Sequence, residues 1–410
     1  MKTAHLAHPC SLAYKRIVLF ALTHNLNSFD SNLVLLKELM VIIMRVAIVS
    51  NFLNHHQIPI CEDFIRLSDE FCFVTTESMG TQGYQLNTER EYVLHYDFEQ
   101  DRERVIEAVL SADIAIMGAC PNELIEMRAK SGKLTYIYSE RFFKNSTLRR
   151  FIPTTRRKIY NRVLKYKKYD NVFVLAASAF LSYDLSLLHF PVSKVYKWGY
   201  FPQFIEHSDI AEVISKKKRN SLLWVGRFLS WKHPEYAVGL AEKLRDSGAD
   251  FELNMIGDGE CYNEIKDLIE RYELQNQVHL LGSQSTKTVR EYMENSELFI
   301  FTSDKHEGWG AVLNEAMNSG CAVVASDAIG SAPWLIQDNE NGALFRSGNI
   351  DDLYSKVKNL LENESLRQNI GVNAYENIRK YWNHTVAAER LVELQNAPVK
   401  YECGPLSSAE

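Results

Sequence analysis

The run Leu298-Phe299-Ile300-Phe301, followed by a polar turn and two glycines, limits what this chain can fold into. Four consecutive apolar residues without alternation read as a strand buried on both faces, which belongs to a parallel sheet. Thr302, Ser303 and Asp304 leave that strand. Gly308 and Gly310 let the backbone approach another group closely, and 311–319 reads as a helix. Gly320 suits the residue just past a helix end, and 321–326 is the next buried strand. A glycine turn between strand and helix lies at the carboxyl end of a strand, where open α/β sheets take ligands.

The chemistry follows from that position. A helix N-terminus offers unpaired amides and partial positive charge, so it attracts phosphate. Glu307 precedes the helix, and Glu315 stands one to two turns inside it. A carboxylate accepts hydroxyl hydrogen bonds on both oxygens, which suits ribose and sugar diols. Together these groups fit a nucleotide sugar. The spacing alone fits equally well with two solvated glutamates beside an ordinary loop.

Arg227 and Lys232 follow the apolar strand 221–226 and would project toward the Glu307 turn. A planar guanidinium and an ammonium there can neutralise a diphosphate. Gly257-Asp258-Gly259 ends another strand, but Tyr262 stands where a dinucleotide fingerprint needs a third small residue. That turn therefore reads as structural, which counts against a nucleotide-dependent dehydrogenase. Gly282 ends the next strand and is a candidate wall for the base.

Two such series run along the chain. Strands alternate with helices from Arg45 to about Tyr200, and again from Ser221 to Ser326, so two parallel sheets covered on both faces are expected. The polar run Lys216–Asn220 reads as the joint between them. From 351 onward only helices are expected. A length of 410 residues accommodates two domains. The net charge of −6 argues against a general nucleic-acid binder. Seven cysteines without a close pair point to reduced thiols and a cytoplasmic setting.

Glu307 and Glu315, with seven residues between them, resemble the paired-glutamate motif of retaining GT-B glycosyltransferases, glycosyltransferase family 4 in particular. Ser326-Asp327, Gly330-Ser331-Ala332-Pro333 and Asn341-Gly342 are similar to the same family's C-terminal half. The resemblance implies an α/β GT-B architecture, two Rossmann-like domains facing a central cleft. It implies an acceptor domain over 44–204, a nucleotide-sugar domain over 205–383, and a helix at 384–395 crossing back to the first. Residues 1–43 stand outside it, as an extension without an assigned role. The implied activity is retaining, metal-independent transfer of a hexosyl group from a nucleotide-sugar donor. The acceptor would be a hydroxyl of a saccharide or lipid-linked saccharide, in cell-surface polysaccharide assembly. No cofactor is implied beyond the donor as co-substrate. Arg227 and Lys232 would hold the phosphates, Glu307 the sugar and Glu315 the ribose, with Gly226, Gly282, Gly308, Trp309 and Gly310 lining the nucleotide site.

The chain departs from the family in places. Trp334 stands where Pro333 is commonly followed by Glu, and Gly118-Ala119-Cys120 where some relatives carry an active-site His. On the acceptor side the candidates are Glu140, His55 and His56. Two other functions fit the same fold: a non-catalytic sugar-nucleotide-binding subunit and a nucleotide-sugar epimerase. The segment 141–168 holds eleven Lys and Arg and no acid. Its apolar positions Ile159, Tyr160, Val163 and Leu164 suit either peripheral contact with an anionic membrane, at the inner face of the cell membrane, or a solvated helix packed on the sheet.

Overall fold

The computed structural model describes residues 43–77, 90–396 and 400–409. The N-terminal extension expected over 1–43 lies almost wholly outside them.

The first sheet is built from β1 (Arg45–Ser50), β2 (Glu70–Thr75), β3 (Val93–His95), β4 (Ile114–Met117), β5 (Leu134–Ser139), β6 (Val172–Ala176) and β7 (Val195–Lys197). The order is β3-β2-β1-β4-β5-β6-β7, and these strands pair in parallel. The second contains β8 (Lys218–Val225), β9 (Glu252–Ile256), β10 (Val278–Leu280), β11 (Ser296–Phe301), β12 (Ala322–Ser326) and β13 (Ala343–Phe345). Its order is β10-β9-β8-β11-β12-β13, again parallel. Each order reverses once, between β1 and β4 and between β8 and β11. At those points the loops after neighbouring strands part and open a crevice. The architecture is the expected α/β GT-B one.

The carboxyl ends of the two sheets face each other. The Ala179 amide donates to the Gly330 carbonyl at 2.8 Å, and Lys305 Nζ to the Asn145 carbonyl at 2.8 Å. An aromatic seam closes one side. Trp309 and Trp382 have ring centroids 5.6 Å apart, and Trp334 stacks on Trp382 at 6.1 Å. Gly199 admits the Trp309 ring, since a Cβ there would come within 2.4 Å of it. Trp334, the departure from the family pattern, belongs to this seam.

The helix His384–Asn396 packs on the helix Ile58–Leu67 of the first half. His384 Nδ1 lies 2.5 Å from the buried Asp63 carboxylate.

Two expectations are corrected. Lys216–Asn220 is not simply a polar joint, because β8 already starts at Lys218. Lys217 is buried, with its ammonium donating to the Met293 carbonyl at 2.7 Å and the Glu294 carbonyl at 3.1 Å. Nor is the chain wholly helical after 351. Leu406 and Ser407 pair with Lys197 along the outer edge of β7, at 2.8 and 2.9 Å. Such pairing covers a sheet edge, and a tail with no alternating pattern gives no local sign of it.

The seam generates a stability prediction. Trp382→Ala should cost about 3–5 kcal/mol, as for a large buried aromatic, measured by denaturant unfolding. A loss below about 1 kcal/mol would show that the seam is not tightly packed.

Candidate functional site

The loops that leave β8 and β11 carry most of the sequence-predicted residues. Gly226–Lys232 leaves β8, and Thr302–Gly310 leaves β11. Three hydrogen bonds stitch these loops. Trp224 Nε1 donates to Thr302 Oγ1 at 2.9 Å, Thr302 Oγ1 donates to the Lys232 carbonyl at 2.7 Å, and the Asp304 amide donates to the Trp231 carbonyl at 3.0 Å.

Arg227 is exposed, and among the described residues its guanidinium has no partner. The loop beneath it is rigid. Phe228 is fully buried, and its amide donates to the Asp258 carbonyl at 2.9 Å. Gly257 has φ +139°, and a Cβ there would lie 1.9 Å from the Gly226 carbonyl oxygen. The Gly257–Gly259 turn thus supports the Arg227 loop from below.

Lys232 and Glu307 meet. The ammonium donates to Glu307 Oε2, and Ser303 Oγ donates to the same oxygen at 3.1 Å. Both partners are largely buried, with side-chain exposures of 12% and 11%, so the pair is shielded from water. Lys232 also lies over the Phe301 ring at 5.6 Å.

The helix Ala311–Asn318 starts after Gly310, which has φ +85° and the Phe301 ring 2.6 Å from where a Cβ would be. Among the described residues, the amides of Gly308, Trp309, Gly310, Ala311 and Val312 find no acceptor. Five orphan amides beside two cations make a site for a polyanion. Glu315 is half-buried, and its carboxylate has no hydrogen-bond partner among the described residues. Burial pushes its pKa up, and the Arg290 guanidinium opposes that shift. Arg290, which sequence reasoning missed, does not pair with the carboxylate. It donates to the Glu315 carbonyl at 2.9 Å and to Asn318 Oδ1 at 3.0 Å.

One assignment is corrected. The Trp309 indole does not line the nucleotide site. It is fully buried in the seam and donates to Asn314 Oδ1 at 2.9 Å. Gly282 has φ +65° and open space where a Cβ would be.

Across the cleft, Glu140 reaches the glycine turn. A Cβ on Gly308 would collide with the Glu140 carboxylate at 1.9 Å. Tyr200 donates to Glu140 Oε1 at 3.0 Å, and Lys144 donates to Glu140 Oε2 at 2.7 Å and to the His306 carbonyl at 3.1 Å. Beside them a small cavity is lined by Ser50, His56, Gln57, Gly118, Tyr138 and Tyr200. Burial holds the His56 imidazole down to about 3, so it is neutral. Its Nδ1 finds no partner among the described residues. Sequence reasoning missed Lys144, four residues after Glu140, and also Tyr200 and the contact between Glu140 and Gly308, which come from the ends of distant strands.

The basic segment divides. Ile159, Val163 and Leu164 are buried in the core of the first half, so the apolar face of the helix Pro153–Arg162 is used for packing. Arg162 donates to the Met117 and Cys120 carbonyls, both at 3.1 Å.

Residues 206–377 match the family model described as glycosyl transferases group 1. A poly(ribitol-phosphate) alpha-N-acetylglucosaminyltransferase of Staphylococcus aureus is 30% identical over 173 residues, 42% of this chain and 34% of that protein. An N-acetylgalactosamine-N,N'-diacetylbacillosaminyl-diphospho-undecaprenol 4-alpha-N-acetylgalactosaminyltransferase of Campylobacter jejuni is 31% identical over 163 residues, 40% of this chain and 42% of that protein. The match spans less than half the length of these relatives. The crystal structure of HepE from Anabaena in complex with UDP superposes with a TM-score of 0.65 at 14% identity, covering 86% of this chain and 100% of that one.

The glycine contacts are testable. Gly330→Ala would place a methyl 1.6 Å from the Gly308 carbonyl oxygen. The turn must shift, at a cost of about 1–3 kcal/mol, and calorimetry should show weaker nucleoside diphosphate binding. Unchanged stability and binding would mean that this close approach does not shape the site.

Proposed function

We propose that this GT-B chain, with its group 1 glycosyl-transferase segment at 206–377, moves a sugar from a nucleotide-sugar donor to a hydroxyl acceptor with retention at the anomeric carbon. The observation that carries this reading is the convergence at one sheet crevice of five orphan amides, Arg227, Lys232 and two carboxylates.

In this reading the diphosphate lies over the N-terminus of the helix Ala311–Asn318. The bond between the anomeric carbon and the phosphate oxygen breaks, and a bond to the acceptor oxygen forms on the same face. The acceptor proton passes to the departing phosphate. Arg227, Lys232 and the amides stabilise the developing negative charge, an electrostatic task. These groups neutralise the diphosphate without a metal ion, and the donor is the only co-substrate. Glu307 holds donor-sugar hydroxyls, and Glu315 holds the ribose.

The acceptor approaches from the first half, past Glu140, Tyr200 and the cavity beside His56. The acceptor is a saccharide or lipid-linked saccharide in cell-surface polymer assembly, a reading supported by the diphospho-undecaprenol-linked sugar and the poly(ribitol-phosphate) in the names of the two relatives. Among the described residues no helix is long and apolar enough to cross a membrane. The membrane association proposed is peripheral, at the cytoplasmic face, through 141–168.

A thermal-shift screen against UDP-, GDP-, ADP- and CMP-sugars identifies the donor, since a ligand at 100 times its Kd stabilises by about 2.7 kcal/mol. Glu315→Gln should then weaken the free nucleoside diphosphate. Glu307→Gln should spare that affinity and impair binding and turnover of the nucleotide sugar. Charged hydrogen bonds of about 1.5–3 kcal/mol make each effect at least about tenfold. The reverse pattern in calorimetry would reverse the donor's orientation. Arg227→Ala and Lys232→Ala should each lower turnover by roughly 2–4 kcal/mol of barrier; near-wild-type turnover in both would remove them from the phosphate site.

A further inference from the structure

We propose that Arg290 is a positioning residue for the donor site. It supplies the positive charge that serves Glu315, and it fixes the C-terminal end of the helix Ala311–Asn318 to the segment joining the two halves. The inference deepens the reading of Glu315 as the ribose ligand and rests on it.

Arg290 projects from the helix Thr286–Asn295 and is half-buried. One terminal nitrogen of its guanidinium donates to the Glu315 carbonyl at 2.9 Å, to Asn318 Oδ1 at 3.0 Å and to Ser319 Oγ at 3.2 Å. The other donates to the Gln203 carbonyl at 3.0 Å. A planar fork can hold two elements at once, and a lysine ammonium does not reproduce that geometry. Asn318 ties the same connector twice. Its Oδ1 accepts from the Ile205 amide and its Nδ2 donates to the Ile205 carbonyl, both at 2.8 Å. The His207 amide donates to Tyr375 Oη at 2.9 Å. The connector 203–207 is therefore anchored at one end of the helix whose other end carries the orphan amides.

A cation at a helix C-terminus complements the macrodipole. Here the same cation also acts on a carboxylate. Burial pushes the Glu315 carboxyl up, and Arg290 is the charge that opposes it. Because the guanidinium bonds the Glu315 backbone carbonyl and not its side chain, it favours the charged form while leaving the carboxylate oxygens for ribose hydroxyls. The other titratable groups around Arg290 are Glu294, Cys321, His207 and Lys217. Burial pushes the Cys321 thiol up and the His207 imidazole down, so both are neutral near neutral pH. Glu294 lies 3.7 Å from His207 Nε2. Burial lowers the Lys217 pKa, and its ammonium is held by the Met293 and Glu294 carbonyls.

The test is calorimetry of the full chain with the tightest-binding of UDP, GDP and ADP, from mildly acidic to neutral pH. Wild-type affinity should fall as the pH drops through the Glu315 pKa. The ligand's own titration is common to every variant. Arg290→Gln removes the opposing cation, so the loss should begin at higher pH. The drop from neutral to mildly acidic pH should then be at least about threefold larger than in the wild type. Arg290→Met is made alongside, so that a second neutral variant is in hand should one fail to fold. Arg290→Lys keeps the charge and should keep the wild-type pH dependence. Glu315→Gln, which cannot titrate at that position, should bind weakly and lose this pH dependence. A wild-type pH dependence in the neutral variants would overturn the inference and leave Arg290 as a structural tie only. Full affinity in Glu315→Gln would instead overturn the ribose assignment, and this inference with it.

Discussion

The cleft depends on a lysine and a glutamate that hold each other where two loops converge. Lys232 and Glu307 come from the ends of β8 and β11, and both are shielded from water. A shielded charge is tolerated when it is paired, and removing one partner of such a pair typically costs about 3–5 kcal/mol. The pairing therefore keeps both loops in register without ligand. It also neutralises an ammonium that would otherwise stand unpaired beside the aromatic rings of Trp231 and Phe301. A diphosphate approaching Lys232 brings two charges to compete for the ammonium. Glu307 can then turn an oxygen to a hydroxyl without leaving a charge stranded. The pair is a stored form of the contacts that the proposed donor would make.

The groups around it divide by their freedom. Arg227 is exposed and, among the described residues, unpaired on a loop locked by Phe228 and the Gly257–Gly259 turn, so its backbone is fixed while its side chain can move. The orphan amides at Gly308–Val312 are fixed by the backbone itself. Preorganised dipoles cost no reorganisation when charge arrives, whereas a mobile guanidinium must lose rotamer freedom. Glu315 sits between these cases. Burial raises its pKa, and a ligand hydroxyl donating to the carboxylate would favour the charged form again.

Much of this was legible because parallel sheets leave strong local marks. Leu298–Phe301 and Ala322–Ser326 are buried runs with no alternation, and the glycine turn between them could be placed at a strand's carboxyl end from sequence alone. What escaped was non-local. Trp309 sits between two glycines of a binding-type turn, and nothing in that neighbourhood reveals that Gly199, Trp334 and Trp382 receive its ring. Lys217 and Lys218 read as linker because their charges are solvable, but Lys217 finds two carbonyls inside. Ile159 and Tyr160 are adjacent and similar in character, and only packing decides that one is buried and the other exposed. Glu140 drew notice as a strand-end acid, but its contact with Gly308 depends on how two sheets approach.

That approach explains why small residues cluster where the halves meet. The Gly330 backbone lies against the Gly308 carbonyl, Gly308 lies against the Glu140 carboxylate, and Gly199 lies against the Trp309 ring. At each position a methyl group would fill space already taken. At Gly330 the neighbour is backbone of the second half, which cannot yield without moving the turn, whereas at Gly308 and Gly199 the neighbours are a carboxylate and an indole from across the cleft or seam. The glycines thus let the two carboxyl ends come close enough for Glu140 and Lys144 to reach the donor-side turn. The aromatic seam supplies the apolar burial that holds them there. Trp334 adds a third indole to that seam, stacked on Trp382. Its side chain therefore serves the closure between the halves.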